Sequence, residues 1–190
     1  MTMTPRLRKF VLTAHITFSI GWFGAVAAFI TIAIAGLMSQ DAQMVHAADL
    51  TMELIGWSVL VPSSLGALVT GVIQSLGTKW GLFRHYWVLV KLLLTIAATL
   101  VLLFKMPSMS YLAGVAAKTI PPPSADLEGL RIELLGHAGG GLLVLLAAIV
   151  LAVYKPWGRT RYGRRRQHEV VDGGAAVDAA PTRHQPIESA

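Results

Sequence analysis

The chain has 190 residues, of which 54% are hydrophobic and 14% are charged, whereas soluble domains carry about 25% charged residues. It contains no cysteine, which excludes disulfides, thiolate metal sites, a CxxCH haem attachment and a cysteine nucleophile. The net charge of +6 is concentrated beside long apolar runs, a placement that favours membrane topology over nucleic-acid binding.

Four long apolar segments predict an all-α membrane protein, a bundle of four transmembrane helices. We place the helices at about residues 7–38, 52–76, 85–104 and 125–154, within a transmembrane domain covering 7–157. The first segment follows a basic start but is about twice as long as a signal-peptide core, so we expect it to be retained. In the second helix, Ser63 and Ser64 follow Pro62 and can help satisfy the carbonyl that proline leaves free. Residues 158–190 form a cytoplasmic tail, first basic and then of low complexity, and we expect its end to be disordered.

The distribution of cations predicts which side of the membrane each connector occupies. Eleven cations lie in the N-terminal segment, the second connector and the start of the tail: Arg6, Arg8, Lys9, Lys79, Arg84, Lys155, Arg159, Arg161, Arg164, Arg165 and Arg166. Three lie on the other side: Lys105, Lys118 and Arg131. Because cytoplasmic loops are enriched in Lys and Arg, we expect a multi-pass protein of the inner (plasma) membrane with both termini cytoplasmic. Its first partner is then the lipid bilayer, whose anionic headgroups attract the basic tail.

Polar residues inside the apolar runs mark the candidate site, since lipid disfavours them unless they face protein, water or a cofactor. His15 lies in the first helix, and Lys91 is the formally charged residue well inside the third. At 1.5 Å per residue, His15 lies about 9 Å beyond Arg8 or Lys9, and Lys91 lies about 9 Å beyond His85. Both helices run outward, so we predict that the two groups lie at the same depth. Trp22 shares a helical face with His15, and Trp87 shares one with Lys91.

These residues also have structural interpretations. The His15 ring can hydrogen-bond a serine or threonine of the second helix instead of holding a ligand. The Lys91 stem is long enough to snorkel to the headgroups. Trp87 and the other aromatic residues near helix ends fit an interfacial belt.

A second polar layer is expected near the opposite end of the bundle. It contains Glu133 and His137 of the fourth helix, together with Glu53 and with His46 of the preceding connector. Because His137 lies near the membrane–water interface, we interpret it first as a structural residue. Whether His137 and His46 form an outer site stays open.

The spacing of His15, then six residues and Trp22-Phe23-Gly24, with Trp87, three residues and Lys91, resembles a group of small bacterial membrane proteins. This group includes the HemJ-type protoporphyrinogen oxidases, the copper-resistance CopD domain and an uncharacterised integral membrane family. The closing segment 154–163 is most similar to the uncharacterised family. The resemblance covers roughly residues 8–163.

The resemblance to the HemJ-type proteins implies that His15 and Lys91 take part in haem binding and activity. The chain lacks the arginine that those proteins carry later in the first helix, and it lacks their Asn-Glu motif near the fourth. These two differences argue against porphyrinogen oxidation and leave haem binding open.

Three functions stay open. In the first, the protein binds haem b for redox or porphyrin-linked chemistry, with His15 as the axial metal ligand, because a neutral imidazole coordinates iron without adding charge. Lys91 then pairs with a propionate, His85 is the nearest second ligand, and Trp22 and Trp87 complete the cofactor-binding set.

In the second, the protein is a non-enzymatic permease or an accessory or scaffold subunit, whose small-residue helix faces pack against itself or a membrane partner. In the third, by analogy with CopD, it handles copper through methionines near the outer face: Met38, Met44, Met52, Met106 and Met109. We find no GxSxG, HExxH, phosphate-loop or dinucleotide motif, so no catalytic residue is assigned and no nucleic-acid partner is expected.

Overall fold

The computed structural model describes residues 3–77, 86–118 and 125–154, and these are almost entirely helical, without a strand. The elements are α1 (Pro5–Met38), α2 (Ala42–Ile55), a π-helical segment (Gly56–Leu60), α3 (Val61–Gly77), α4 (Tyr86–Lys118) and α5 (Ala125–Tyr154). Since α2, the π segment and α3 are continuous, they form one rod, here called the second rod. The four rods within the described ranges are each long and apolar enough to cross a membrane. The chain is therefore an all-α, multi-pass membrane protein, which confirms the predicted fold class.

Rods that follow one another in the chain also pack together. α1 contacts the second rod and α5, and α4 likewise contacts the second rod and α5. The two diagonal pairs, α1 with α4 and the second rod with α5, make no close backbone contact in the described part of the chain. The result is an up-and-down four-helix bundle, whose core contains Trp22, Phe29, Leu60 and Met106.

Glycines set the short distance between α1 and the second rod. A Cβ added at Gly66 would lie 2.6 Å from the Phe18 ring, and one added at Gly36 would lie 2.9 Å from the Cβ of Ala48. Both distances are shorter than van der Waals contact allows. The two backbones can therefore approach this closely only because the glycines have no side chain.

The second rod begins ten residues before the predicted start at 52. The side chain of Asp41 accepts a hydrogen bond from the Gln43 N–H at 3.0 Å and caps a helix that starts at Ala42. The polar residues of 42–51 are typical of a connector, which is why the sequence alone predicts one there. Its most polar member, Asp49, faces the bundle interior and is buried there, which is why the segment folds as helix.

The π-helical segment widens the second rod just before Pro62. The Val61 N–H donates to the Gly56 carbonyl, five residues back. The Ser64 hydroxyl donates to the Val61 carbonyl at 2.9 Å. The Ser64 hydroxyl thus bonds the Val61 carbonyl and not the Ser58 carbonyl that Pro62 leaves free.

The third rod, α4, continues to Lys118 instead of ending at 104. It passes through Pro107, although a proline inside a helix costs about 3 kcal/mol. Packing against α2 outweighs this cost. The extension buries one apolar face: Met106, Met109, Leu112, Ala113 and Ala116. The predicted tail at 158–190 lies outside the described residues.

A buried ion pair joins the second rod to α5 across the bundle diagonal. Arg131 Nε donates to Asp49 Oδ1 at 3.0 Å, and Nη2 donates to Oδ2 at 2.6 Å. The side chains are 8% and 2% exposed. This bidentate geometry satisfies both carboxylate oxygens, so the pair connects two rods whose backbones do not touch.

We predict that Arg131→Met destabilises the bundle by about 3–5 kcal/mol, because it leaves the Asp49 carboxylate buried without a partner. The measurement is loss of helical circular dichroism during titration of the detergent-solubilised protein with a denaturing detergent. The control is Lys105→Met, which removes the cation of the more exposed pair with Glu133 and is expected to cost about 0–1 kcal/mol. Equal losses in the two variants would contradict a structural role for the diagonal pair.

Candidate functional site

The imidazole of His15 packs against α3, and the α3 residues that it contacts are here called its seat. Its Nδ1 lies 3.1 Å from the Ala67 carbonyl oxygen and 3.1 Å from Thr70 Oγ1. A Cβ added at Gly71 would lie 3.1 Å from the His15 Cε1, so the ring fits against a bare stretch of backbone. The hydrogen bond to a threonine of the second helix, one of the two interpretations open from the sequence, is thus present.

Lys91 reaches His15 from the opposite corner of the bundle. Its Nζ lies 3.5 Å from the His15 Nε2, and both side chains are half-buried. α1 and α4 are diagonal rods without close backbone contact, so the contact depends on the length of the lysine side chain. Lys91 therefore points at the imidazole here instead of extending toward the end of the bundle.

The partners of the ring determine which nitrogen of His15 carries the proton. The Ala67 carbonyl only accepts hydrogen bonds, so Nδ1 must donate. A lysine ammonium only donates, so Nε2 must accept. The two contacts together select the neutral tautomer with the proton on Nδ1 and a lone pair on Nε2.

A cavity of about 640 Å³, here called the His15 cavity, opens beside this pair and is lined by all four rods. Trp22 and Trp87 contribute to its walls. Its polar lining consists of His15, Ser19, Gln74, Ser75, Lys91 and Thr95, apart from the two indoles. No acidic residue occurs among the described lining residues, so Lys91 brings a positive charge that the cavity itself does not balance.

A second cavity of about 620 Å³, here called the His137 cavity, lies between α1, α4 and α5 with Leu60 at its edge. Its lining is largely apolar except for Lys105, Glu133 and His137. Lys105 forms an ion pair with Glu133, and the His137 Nδ1 lies 2.7 Å from the Glu133 carbonyl oxygen.

The two cavities meet at one level of the bundle, because Trp22 and Leu145 line both. Of the residues expected in the second polar layer, Glu133 and His137 line the His137 cavity, whereas Glu53 and His46 do not. His46 lies on α2, and its Nδ1 is buried without a hydrogen-bond partner.

The other predicted ligands are not brought together into one set. His85, the suggested second haem ligand, lies outside the described residues. Met38 and Met44 are 77% and 50% exposed. Met52, Met106 and Met109 are instead buried in the core, so the five methionines do not converge. Within the described ranges no three His, Asp or Glu side chains are grouped so as to hold a metal ion by themselves.

Sequence reasoning missed the seat of the imidazole, which consists of Ala67, Thr70 and Gly71. The recurrence of small and hydroxyl residues in α3 was visible, but it did not show which turn of α3 faces His15. The pairing of Lys105 with Glu133 was missed because α4 was expected to end at 104.

We predict that nitrogen NMR of histidine-labelled protein in micelles shows His15 as the neutral tautomer protonated on Nδ1. Thr70→Val should preserve this tautomer, because the Ala67 carbonyl still accepts from Nδ1. The signal is assigned by its absence from His15→Gln. A His15 ring protonated on Nε2 would contradict the hydrogen-bond directions inferred from the geometry.

Comparison with models of protein families, with curated proteins and with solved structures found no match to this chain. The resemblance to the HemJ and CopD group therefore stays a prediction from the motifs quoted above. Its four long apolar rods make the chain a small integral membrane protein.

Proposed function

We propose that this protein binds haem b in the His15 cavity, with His15 as an axial ligand and Lys91 as the partner of a propionate. The observation that carries the proposal is the orientation of His15. Its Nδ1 is held by the Ala67 carbonyl at 3.1 Å, so the ring, which lines the cavity, keeps its lone pair on Nε2, where Lys91 Nζ lies 3.5 Å away.

The seat of His15 has the features of a metal-ligand histidine. Such histidines usually donate their second ring N–H to a carbonyl or carboxylate, which fixes the ring and increases the basicity of the ligating nitrogen. A porphyrin supplies four nitrogen ligands itself, so one protein imidazole is enough to anchor the iron. A cluster of three protein ligands is therefore not required.

The size and charge of the cavity also fit an anionic, flat ligand. Its volume of about 640 Å³ lies within the range of about 300–1,000 Å³ typical of ligand pockets. Lys91 lacks an acidic partner in the described lining, and a propionate would supply the missing negative charge. Because Nζ lies 3.5 Å from Nε2, a metal held at Nε2 would require another rotamer of Lys91, which its four-carbon stem permits.

When bound, haem b supplies one-electron redox chemistry. The protein's residues would bind and orient it: His15 would hold the metal, Lys91 would neutralise a carboxylate, and Trp22 and Trp87 would form apolar walls. The described lining contains no carboxylate to act as a general base. We therefore propose electron transfer in preference to porphyrinogen oxidation.

One observation favours a second candidate function, that of a permease. The His15 and His137 cavities extend from opposite directions to the shared residues Trp22 and Leu145, an arrangement that also suits passage of a solute. This alternative differs from the first in requiring no spectral change on replacement of His15 or Lys91.

The test of haem binding is the optical spectrum of protein produced with haem supplied and purified in detergent. We expect a Soret band, and we expect His15→Gln to lose at least half of its absorbance per chain. Gln keeps a side-chain donor for the Ala67 carbonyl but lacks the imidazole. Lys91→Met should weaken haem binding about tenfold or more, in keeping with loss of a charge-assisted hydrogen bond.

The matched control is His46→Gln, since His46 lines neither cavity, and it should keep the full band. A Soret band of unchanged height in His15→Gln, or no band in the unaltered protein, would refute haem binding at His15.

A further inference from the structure

The His137 cavity repeats the chemical features of the His15 cavity. Their volumes are about 620 and 640 Å³, and each is lined by one histidine and by one lysine of α4. In the His15 cavity the lysine is Lys91, and in the His137 cavity it is Lys105. The two cavities thus offer similar space and the same pair of functional groups.

The two histidines are also held in the same way. The His137 Nδ1 lies 2.7 Å from the backbone carbonyl of Glu133, as the His15 Nδ1 lies 3.1 Å from that of Ala67. A carbonyl only accepts, so Nδ1 of His137 must carry the proton. Its Nε2 is then available as a ligand atom.

The walls of the His137 cavity leave room for a flat molecule beside this ring. Gly136, Gly140 and Gly141 of α5 line it, and a Cβ added at any of them would meet no atom within 4 Å. These glycines are therefore not required for close helix packing within the chain. His137 itself is exposed at the cavity wall.

The cavities are arranged in line along the bundle. Lys91 and Lys105 are fourteen residues apart on α4, which places them nearly on the same face and about 21 Å apart along the axis. α1, α4 and α5 line both cavities, and Trp22 and Leu145 lie where they meet. Two ligands could therefore occupy the bundle in series, separated by the Trp22 indole.

We propose that the His137 cavity is a second site for the same class of ligand, a planar iron chelate with peripheral carboxylates, held by His137 through Nε2. This inference rests on the proposed function of the His15 cavity. One chain then carries two such ligands, one in each half of the bundle.

The second site is the weaker of the two, because of its local charge. Lys105 already forms an ion pair with Glu133, whereas no described acid balances Lys91. A carboxylate-bearing ligand must therefore compete with Glu133 for Lys105. Replacing Glu133 by an uncharged side chain should tighten binding at this site alone.

The experiment is a titration of the detergent-solubilised apoprotein with haemin, followed by absorbance, to obtain the number of equivalents and their affinities. We expect two equivalents in the unaltered protein, one in His137→Gln and one, the weaker, in His15→Gln. The double variant measures haemin that dissolves in the micelle. Glu133→Gln should tighten the weaker site about tenfold. The control Glu128→Gln, an exposed acid that lines neither cavity, should not.

A second pair of variants keeps the test independent of the histidine replacement. Gly140→Leu places a bulky side chain in the His137 cavity and should abolish the weaker equivalent. Gly129→Leu is its control, because Gly129 lies on the same helix, is exposed and lines neither cavity.

The possible failures are distinguishable. One equivalent in the unaltered protein, lost in His15→Gln and retained in His137→Gln and Gly140→Leu, overturns the second site and leaves haem binding at His15 standing. Uptake in the double variant equal to that of the unaltered protein overturns both proposals.

Discussion

A bilayer provides no partner for a charged side chain at depth, so the charges of this bundle must find partners across its interior. Two long cationic side chains do so along the diagonals, where the backbones of the rods do not touch. Arg131 crosses from α5 to Asp49 on the second rod, and Lys91 crosses from α4 to His15 on α1. The two crossings occur in opposite halves of the bundle. In each, a long cationic side chain spans a diagonal, but the groups that accept its hydrogen bonds differ.

The difference lies in the charge of the acceptor. Arg131 meets a carboxylate that it binds through two hydrogen bonds, so that crossing is electrically balanced and is structural. Lys91 meets a neutral imidazole, in a cavity whose described lining contains no acid. The positive charge is left for a ligand to balance, and the contact places the Nε2 lone pair of His15 beside the lysine in a residue that lines the cavity. This combination of an imidazole lone pair and an unbalanced cation leads to the proposal of an anionic iron chelate.

The features that depend on helical geometry alone could be predicted from the sequence. The length of the apolar runs predicted the four rods. Counting residues from the cytoplasmic ends of two helices that run in the same direction predicted that His15 and Lys91 lie at one depth, and the structure places Nζ and Nε2 3.5 Å apart. Rise per residue is nearly constant in any α-helix, so depth is the coordinate that a sequence reveals best.

What could not be predicted depends on rotation about the helix axis and on tertiary contacts. Asp49 was assigned to a connector because ten polar-rich residues resemble a loop until their partner Arg131 is known. The sequence predicts that α4 ends at 104. Its extension through Pro107 is stabilised by packing against α2, a contact that the sequence does not reveal. Ala67 and Gly71 are unremarkable small residues until the structure shows which of them lie beneath the His15 ring. The placement of His137 and Lys105 in one cavity likewise required the corrected end of α4.

The contact between Lys91 and His15 in the bundle interior underlies the proposed function, and solid-state NMR in lipid bilayers tests it most directly. The measurement is the dipolar coupling between isotopically labelled lysine Nζ and the histidine ring carbons next to Nε2. In the haem-free protein we predict a measurable coupling, because Nζ lies 3.5 Å from Nε2; it should disappear in Lys91→Met and His15→Gln and persist in Lys105→Met. A coupling that is absent from the unaltered protein, or that survives in Lys91→Met, would contradict the account.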